Sequence, residues 1–368
     1  MSLMRRKLDC ILTRRRDFER AATMGEQDPR TELDLENPPH GEAEDIEACV
    51  RLIQEIMRLG PRPMMRGQHA KSTGDVKARL IVDPARPAET RFGIFESDRT
   101  YDAIVRFSNG AGSMSPDTRA DARGMAIKVL GVSGPRAFEE AGDTDTQDFV
   151  MINFPQFPVR NAHEYRKFME SRLKYIGLLG QAGNAIGQLL FFVPFRLGQF
   201  LRVGRKLIGT SRSPLVERYW SMSPYRLGPR AIKFSLVPHP VNSEALPANP
   251  SKDVHSADQL SRVLADHLRA EEARFDFVVQ FRNDPKSMPI EDPTVLWDES
   301  ISKPVKVATL IIDQADLNSP ESIAFRKEVE AMSFNPWHAL EAHRPLGGIN
   351  RLRKRVYQES TKLRRESS

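Results

Sequence analysis

The sequence predicts an α+β protein: an antiparallel β-barrel of about eight strands, with helices around it and a further helix near the C-terminus. Two observations carry this prediction. Short apolar or alternating runs lie at 78–82, 91–95, 102–107, 124–130, 148–152, 230–236, 275–281 and 306–312, separated by clusters of Pro, Gly, Asp and Ser. The first five follow one another without an intervening helical pattern, so the crossover helices that a parallel sheet needs are missing there.

Residues 1–41 read as a loosely ordered extension and 42–368 as a single domain. The extension is first basic (Arg5, Arg6, Lys7, Arg14, Arg15, Arg16) and then acidic from Glu26 onward. Met4, Leu8, Ile11 and Leu12 form one narrow helical face among arginines, which leaves peripheral membrane contact open beside the plainer reading of an exposed terminal helix. Helical spacing at 43–59 puts Ile46, Val50, Ile53, Ile56 and Met57 on one side, and Gly60 and Pro61 stop it. The strands then begin. They are interrupted by a helical insertion at about 167–209, within which 175–195 carries no charged side chain. Gln181, Asn184, Gln188, four glycines and Pro194 make that stretch a poor membrane span and a better lid or buried helix pair over an apolar cavity. An amphipathic helix is predicted over 256–272, with Leu260, Val263, Leu264 and Leu268 as its core face. Another ends near Met332, with Ser319 as N-cap and Pro320 in its first turn, and a last one covers 349–365.

The apolar fraction of 40% and charged fraction of 28% suit a soluble globular core. A net charge of +6 without any stacking or base-reading module argues against nucleic-acid binding. The two cysteines, Cys10 and Cys49, form no zinc or redox pattern and fit a reducing compartment. Charges break the first apolar cluster, so a signal peptide is not expected and a cytoplasmic location is.

Two sites carry chemistry. Arg353 and Tyr357 stand four residues apart, where a helix brings the guanidinium beside the phenol, and a nearby cation favours the ionised phenol, a hard ligand for ferric iron. His69 lies in the run Arg66-Gly67-Gln68-His69-Ala70-Lys71-Ser72-Thr73-Gly74. Val105-Arg106-Phe107-Ser108 follows, then Arg119-Ala120-Asp121-Ala122-Arg123-Gly124-Met125-Ala126-Ile127-Lys128. Asp145-Thr146-Gln147-Asp148-Phe149 comes next and leads to Phe157-Pro158.

This ordered series resembles the catalase family, whose pattern is R-x-x-H-A-K-G, V-R-F-S, R-D-x-R-G-F-A-x-K, N-N-T-P-x-F-F and finally R-x-x-x-Y. The likeness covers roughly 62–170 and resumes at Arg353 and Tyr357; 171–340 is only loosely similar. The shorter chain, and the segment from Phe334 to Gly348, look more like the small catalase-related haem proteins, among them peroxidases and allene oxide synthases. The resemblance implies haem b, with its iron, in the barrel. Tyr357 would be the proximal iron ligand and His69 the distal acid and base. Arg66 and Arg106 would hold the haem propionates, Ser108 would orient His69, and Phe157 would pack beside the ring. Ile349, Leu352 and Val356 form a stripe beside Tyr357 that could face the macrocycle, while Asp121 and Arg123 read as a structural charge pair.

One position departs from the pattern. Where the family has its distal asparagine, ungapped alignment puts Asp145, and a one-residue gap puts Thr146. Either substitution weakens the case for dismutation of a second peroxide. The expected activity is therefore a haem peroxidase acting on hydrogen peroxide or organic, especially lipid, hydroperoxides with a small organic co-substrate. A fatty-acid hydroperoxide isomerase, a weak catalase and a membrane-associated haem-binding protein stand as alternatives. A homodimer is the expected assembly.

Overall fold

A computed structural model of the chain describes residues 36–60, 64–119, 121–138, 145–179, 211–244 and 257–367. Nine strands form one sheet: β1 (Ser72–Val82), β2 (Thr100–Asn109), β3 (Arg123–Leu130), β4 (Thr146–Ile152), β5 (Tyr219–Trp220), β6 (Tyr225–Leu227), β7 (Arg230–Pro238), β8 (Ala273–Phe281) and β9 (Val305–Ile312). Their order is β5-β4-β3-β2-β1-β9-β8-β7-β6, and every pairing is antiparallel. Strand β5 also pairs with β7, so eight strands close into a barrel and β6 is appended to its wall. Closure removes the exposed edges that an open sheet would leave.

The strand residues alternate in direction, and the inward set fills the barrel. Leu80, Val105, Phe107, Ile127, Phe149, Phe275 and Phe277 belong to this core. Phe149, Phe234 and Phe277 make a mutual ring cluster with centroids 4.9–5.5 Å apart. Outside the barrel, α1 (Glu42–Arg58), α2 (Ala162–Leu179) and α6 (Gly348–Ser367) pack on one another. Helices α3 (Val241–Glu244), α4 (Gln259–Ala270) and α5 (Pro320–Ala331) complete the described structure. Leu264 of α4 seats on β1, so close to Gly74 that a Cβ there would stand 2.0 Å from its methyl carbon.

The expected helices at 43–59, 256–272 and 349–365 form within a few residues of those bounds. Ser319 caps α5, its hydroxyl accepting from the Ser322 amide at 3.2 Å. Of the insertion at 167–209, only the part in α2 is described; the uncharged stretch beyond residue 179 and the N-terminal extension before residue 36 lie outside the described residues.

Two expectations are corrected. The run at 91–95 is not a strand: it follows one 3₁₀ turn (Ala88–Thr90) and holds a second (Gly93–Phe95), because it wraps the buried His343. The Ile94 amide donates to His343 Nε2 at 3.0 Å, and Gly93, at φ +57°, leaves no room for a Cβ, which would meet that ring at 2.3 Å. The stripe of Ile349, Leu352 and Val356 does not line an open site; Ile349 and Leu352 are buried against α1 and α2, with Val356 packed beside them. Burying each such side chain contributes about 1.5–3 kcal/mol, and this seats a helix that is otherwise strongly polar. Arg351 fixes the start of α6 by reaching Glu42 at 2.5 Å, Glu291 at 2.8 Å and Glu36.

Candidate functional site

His69 stands in the loop that leads into β1. That loop lies on the turn after β2: the His69 amide donates to Gly110 O at 3.2 Å and the Ala70 amide to Ala111 O at 3.0 Å. Gly112 passes so close to the Gly67 carbonyl that a Cβ would sit 2.3 Å from its oxygen. Pinned from both sides, His69 adopts the left-handed φ of 55°, a rare conformation for a non-glycine residue. Its ring lies over Gly124, whose strand partner is Ser108. The Ser108 hydroxyl and His69 Nδ1 are 3.0 Å apart, so one ring nitrogen is engaged and Nε2 is left for a ligand. Burial, reinforced by Arg106, Arg353 and Arg66, brings the imidazole pKa down to about 4, so the ring is neutral at physiological pH.

Tyr357 is half-buried on α6. One helical turn earlier, the buried Arg353 donates from Nη2 to the phenol oxygen at 3.2 Å, and its guanidinium lies 5.3 Å from the ring centroid. Arg353 also donates to Asn350 Oδ1 at 3.3 Å. Burial works against its charge, but the phenols of Tyr357 and Tyr225 outweigh it and raise its pKa above the ordinary value. Arg353 thus touches Tyr357 and also lies within electrostatic range of His69.

Arg66 and Arg106 come together at Glu330, near the end of α5. Arg66 binds its carboxylate, and Arg106 Nη2 lies 3.2 Å from Oε2. A third cation joins them: Arg364 donates to the Glu330 carbonyl at 3.5 Å. Burial, then Arg106, lowers the Arg66 pKa to about 9, as expected of crowded guanidiniums. Asp75, 3.8 Å from Arg106, is the other acid close by, and burial raises its pKa. Among the described residues, buried Arg106 Nε has no hydrogen-bond acceptor. Arg364 did not figure among the expected site residues, although its spacing of seven residues from Tyr357 puts both on one helix face.

Asp145 is not part of this assembly, a second correction to the expected site. It is exposed just before β4, whose first residue Thr146 pairs with Leu130; Gly124, under His69, pairs with Ile152. Six residue steps at roughly 3.3 Å each separate the two ends. Thr146, at the same end, is equally remote. Asn153 follows Ile152, and its side-chain oxygen accepts from the Arg123 amide at 2.8 Å. The signal for it was Asn153-x-Pro155-x-Phe157, which fits N-T-P-x-F when the motif is slid along. Phe157 packs beside the helical cluster, its ring 6.3 Å from that of Tyr165. Asp121 accepts from the Ala111 amide at 2.8 Å, and Arg123 donates to the Asp117 carbonyl at 2.7 Å, so each is held by its own neighbours.

The donor set suits an iron porphyrin: a phenol fixed by a cation, a neutral imidazole, and three guanidiniums gathered at Glu330, of the kind that binds two carboxylates. Among the described residues, no three His, Cys, Asp or Glu side chains gather into a metal site. Comparison with solved structures identifies the fold. The chain superposes on a fungal catalase with a TM-score of 0.62 and 18% identity, covering 82% of this chain and 59% of that one. A bacterial catalase gives a TM-score of 0.62 at 18% identity over 93% of this chain and 62% of the other. Catalase A from Saccharomyces cerevisiae gives 0.58 at 16% identity over 82% and 61%. No family model and no curated protein matches the sequence. The class defined is therefore a catalase-like barrel protein, and the chain spans about three fifths of the length of these catalases. No helix among the described residues is long and apolar enough to cross a membrane.

Proposed function

We propose that this chain is a haem b-dependent peroxidase that reduces hydrogen peroxide or organic hydroperoxides. The observation that carries the reading is Arg353, which holds the Tyr357 phenol while lying within range of a neutral His69. Tyr357 would ligate the iron, and Arg66, Arg106 and Arg364 would exchange Glu330 for the propionates. Ferric haem, when bound, supplies the electrons that cleave the peroxide O–O bond. The residues of this chain move the proton. Neutral His69 takes it from one peroxide oxygen at Nε2 and returns it to the departing oxygen, while Ser108 keeps Nδ1 engaged. Lipid hydroperoxides and a small organic reductant remain the proposed substrate class, and a homodimer with peripheral membrane contact the proposed assembly.

A second reading, dismutation of hydrogen peroxide, gains from Asn153, which restores a carboxamide at the His69 end of β4. Oxygen evolution from hydrogen peroxide alone would favour it. The ligand assignment is tested by reconstituting wild-type protein and Tyr357→Phe with haemin. Wild type should show a Soret band and ferric-phenolate absorption, and the variant should lose the latter. An identical spectrum in the two proteins would remove Tyr357 as the ligand.

A further inference from the structure

A cavity of about 340 Å³ lies outside the barrel wall, between β7 and the segment at 296–304. It falls within the roughly 300–1,000 Å³ range of small-molecule sites. None of the side chains assigned above to peroxide chemistry lines it. Strand alternation sends Ile232 and Phe234 toward the barrel core and Lys233 outward into this cavity. Trp220, Met222, Leu296 and Trp297 give it an apolar wall, with Ser221, Ser235 and Gln280 as neutral polar neighbours.

Lys233 is only 7% exposed, and among the described residues no carboxylate lies within ion-pair distance of its Nζ. Its contacts are a long hydrogen bond of 3.4 Å to Val295 O and the face of Trp297, with Nζ 5.0 Å from the ring centroid. The charged groups around it are accounted for elsewhere. Arg218 and Glu299 pair with each other at 2.7 Å, Asp298 accepts from the Ser300 amide, and Asp292, the acid that favours its charge, is salt-bridged to Arg160. Burial outweighs Asp292 and brings the amine to about 7. A buried ammonium so poorly compensated is costly, whereas a neutral amine in an apolar pocket is a good nucleophile.

We propose that Lys233 reversibly captures small apolar aldehydes as an imine. The Nζ lone pair attacks the carbonyl carbon, and the proton that the attacking nitrogen sheds passes to the oxygen to give a carbinolamine. The C–O bond then breaks, the hydroxyl leaves as water with the nitrogen's second proton and C=N forms, with no change of oxidation state. Trp220, Met222 and Leu296 offer the aldehyde's alkyl chain an apolar wall.

The test uses the full chain without haem or peroxide, so it stands or falls independently of the peroxidase reading. Hexanal and sodium cyanoborohydride are added at about pH 7, and modified lysines are located by peptide mass spectrometry. An amine of pKa about 7 has roughly a thousandfold larger neutral fraction there than an exposed lysine. Hexylation of Lys233 should therefore outpace that of exposed Lys286 and Lys303 by at least about tenfold. Its rate should fall as the pH is lowered below 7, and Lys233→Arg should lose that label alone. If Lys233 reacts no faster than Lys286 and Lys303 in the wild-type protein, the proposal is overturned, whatever the fate of the variant.

Discussion

Gly124 lies directly beneath His69: a methyl group added to its Cα would stand 2.5 Å from Nδ1 and 2.6 Å from the Ser108 hydroxyl. The smallest possible side chain in β3 therefore sets the position of the imidazole and its hydrogen bond.

Gly124→Ala should displace the His69 ring while the barrel survives, since β3 keeps its ladder with β2 and β4. The haem-loaded variant should react with peroxide about 10²–10⁴-fold more slowly, approaching His69→Ala, with an unchanged far-ultraviolet circular dichroism spectrum. Stopped-flow mixing measures this. A wild-type rate in His69→Ala would end the proton-transfer assignment.

Ser108→Ala should keep haem and fold but free Nδ1, so that the imidazole can turn or change tautomer. A smaller loss, about tenfold, is expected in the peroxide reaction. Ser108→Thr should recover part of it by restoring a hydroxyl, which a merely space-filling role would not require.

Glu330 occupies the guanidiniums that the propionates would need. Glu330→Gln should tighten haemin binding by about tenfold, and Arg106→Met should weaken it by at least as much. Fluorescence quenching titrations of the apo-protein would show both. Equal affinities in all three proteins would remove the propionate role from this cluster.

His343 provides a pH dependence of stability that is independent of haem. Burial lowers its pKa to about 3, and Nε2 must stay unprotonated to accept from Ile94. The unfolded residue titrates near about 6.5, so between these values the unfolded chain binds the extra proton. Stability therefore falls as the pH drops from about 6.5 toward 3, and His69 adds to the loss down to about 4. Urea midpoints should decline through this window, and His343→Gln should flatten the decline even if it lowers the plateau.

The parts of the site readable from sequence are those fixed by local geometry. Arg353 and Tyr357 meet because four residues make about one helical turn, and Ser108 faces His69 because V-R-F-S closes β2 beside the incoming loop. Asp145 was misplaced because its position depends on how β4 registers against β3, and the connection after Leu130 is long enough to permit more than one alignment. The 3₁₀ turn within 91–95 reads as a strand because its apolar pattern serves a histidine contributed from residue 343, a contact no local window contains. The gathering of Arg66, Arg106 and Arg364 at Glu330 is non-local for the same reason, joining four separate segments.

The clasp that Arg351 makes with Glu36, Glu42 and Glu291 has a consequence for biosynthesis. A ribosome delivers Arg66, His69 and Arg106 early and finishes the last barrel strand at Ile312, before α6 emerges. Until that helix arrives and Arg351 closes on its three carboxylates, Tyr357 and Arg353 have no fixed place on the barrel. On the proposed reading, only chains translated through α6 would carry both the phenol and the imidazole.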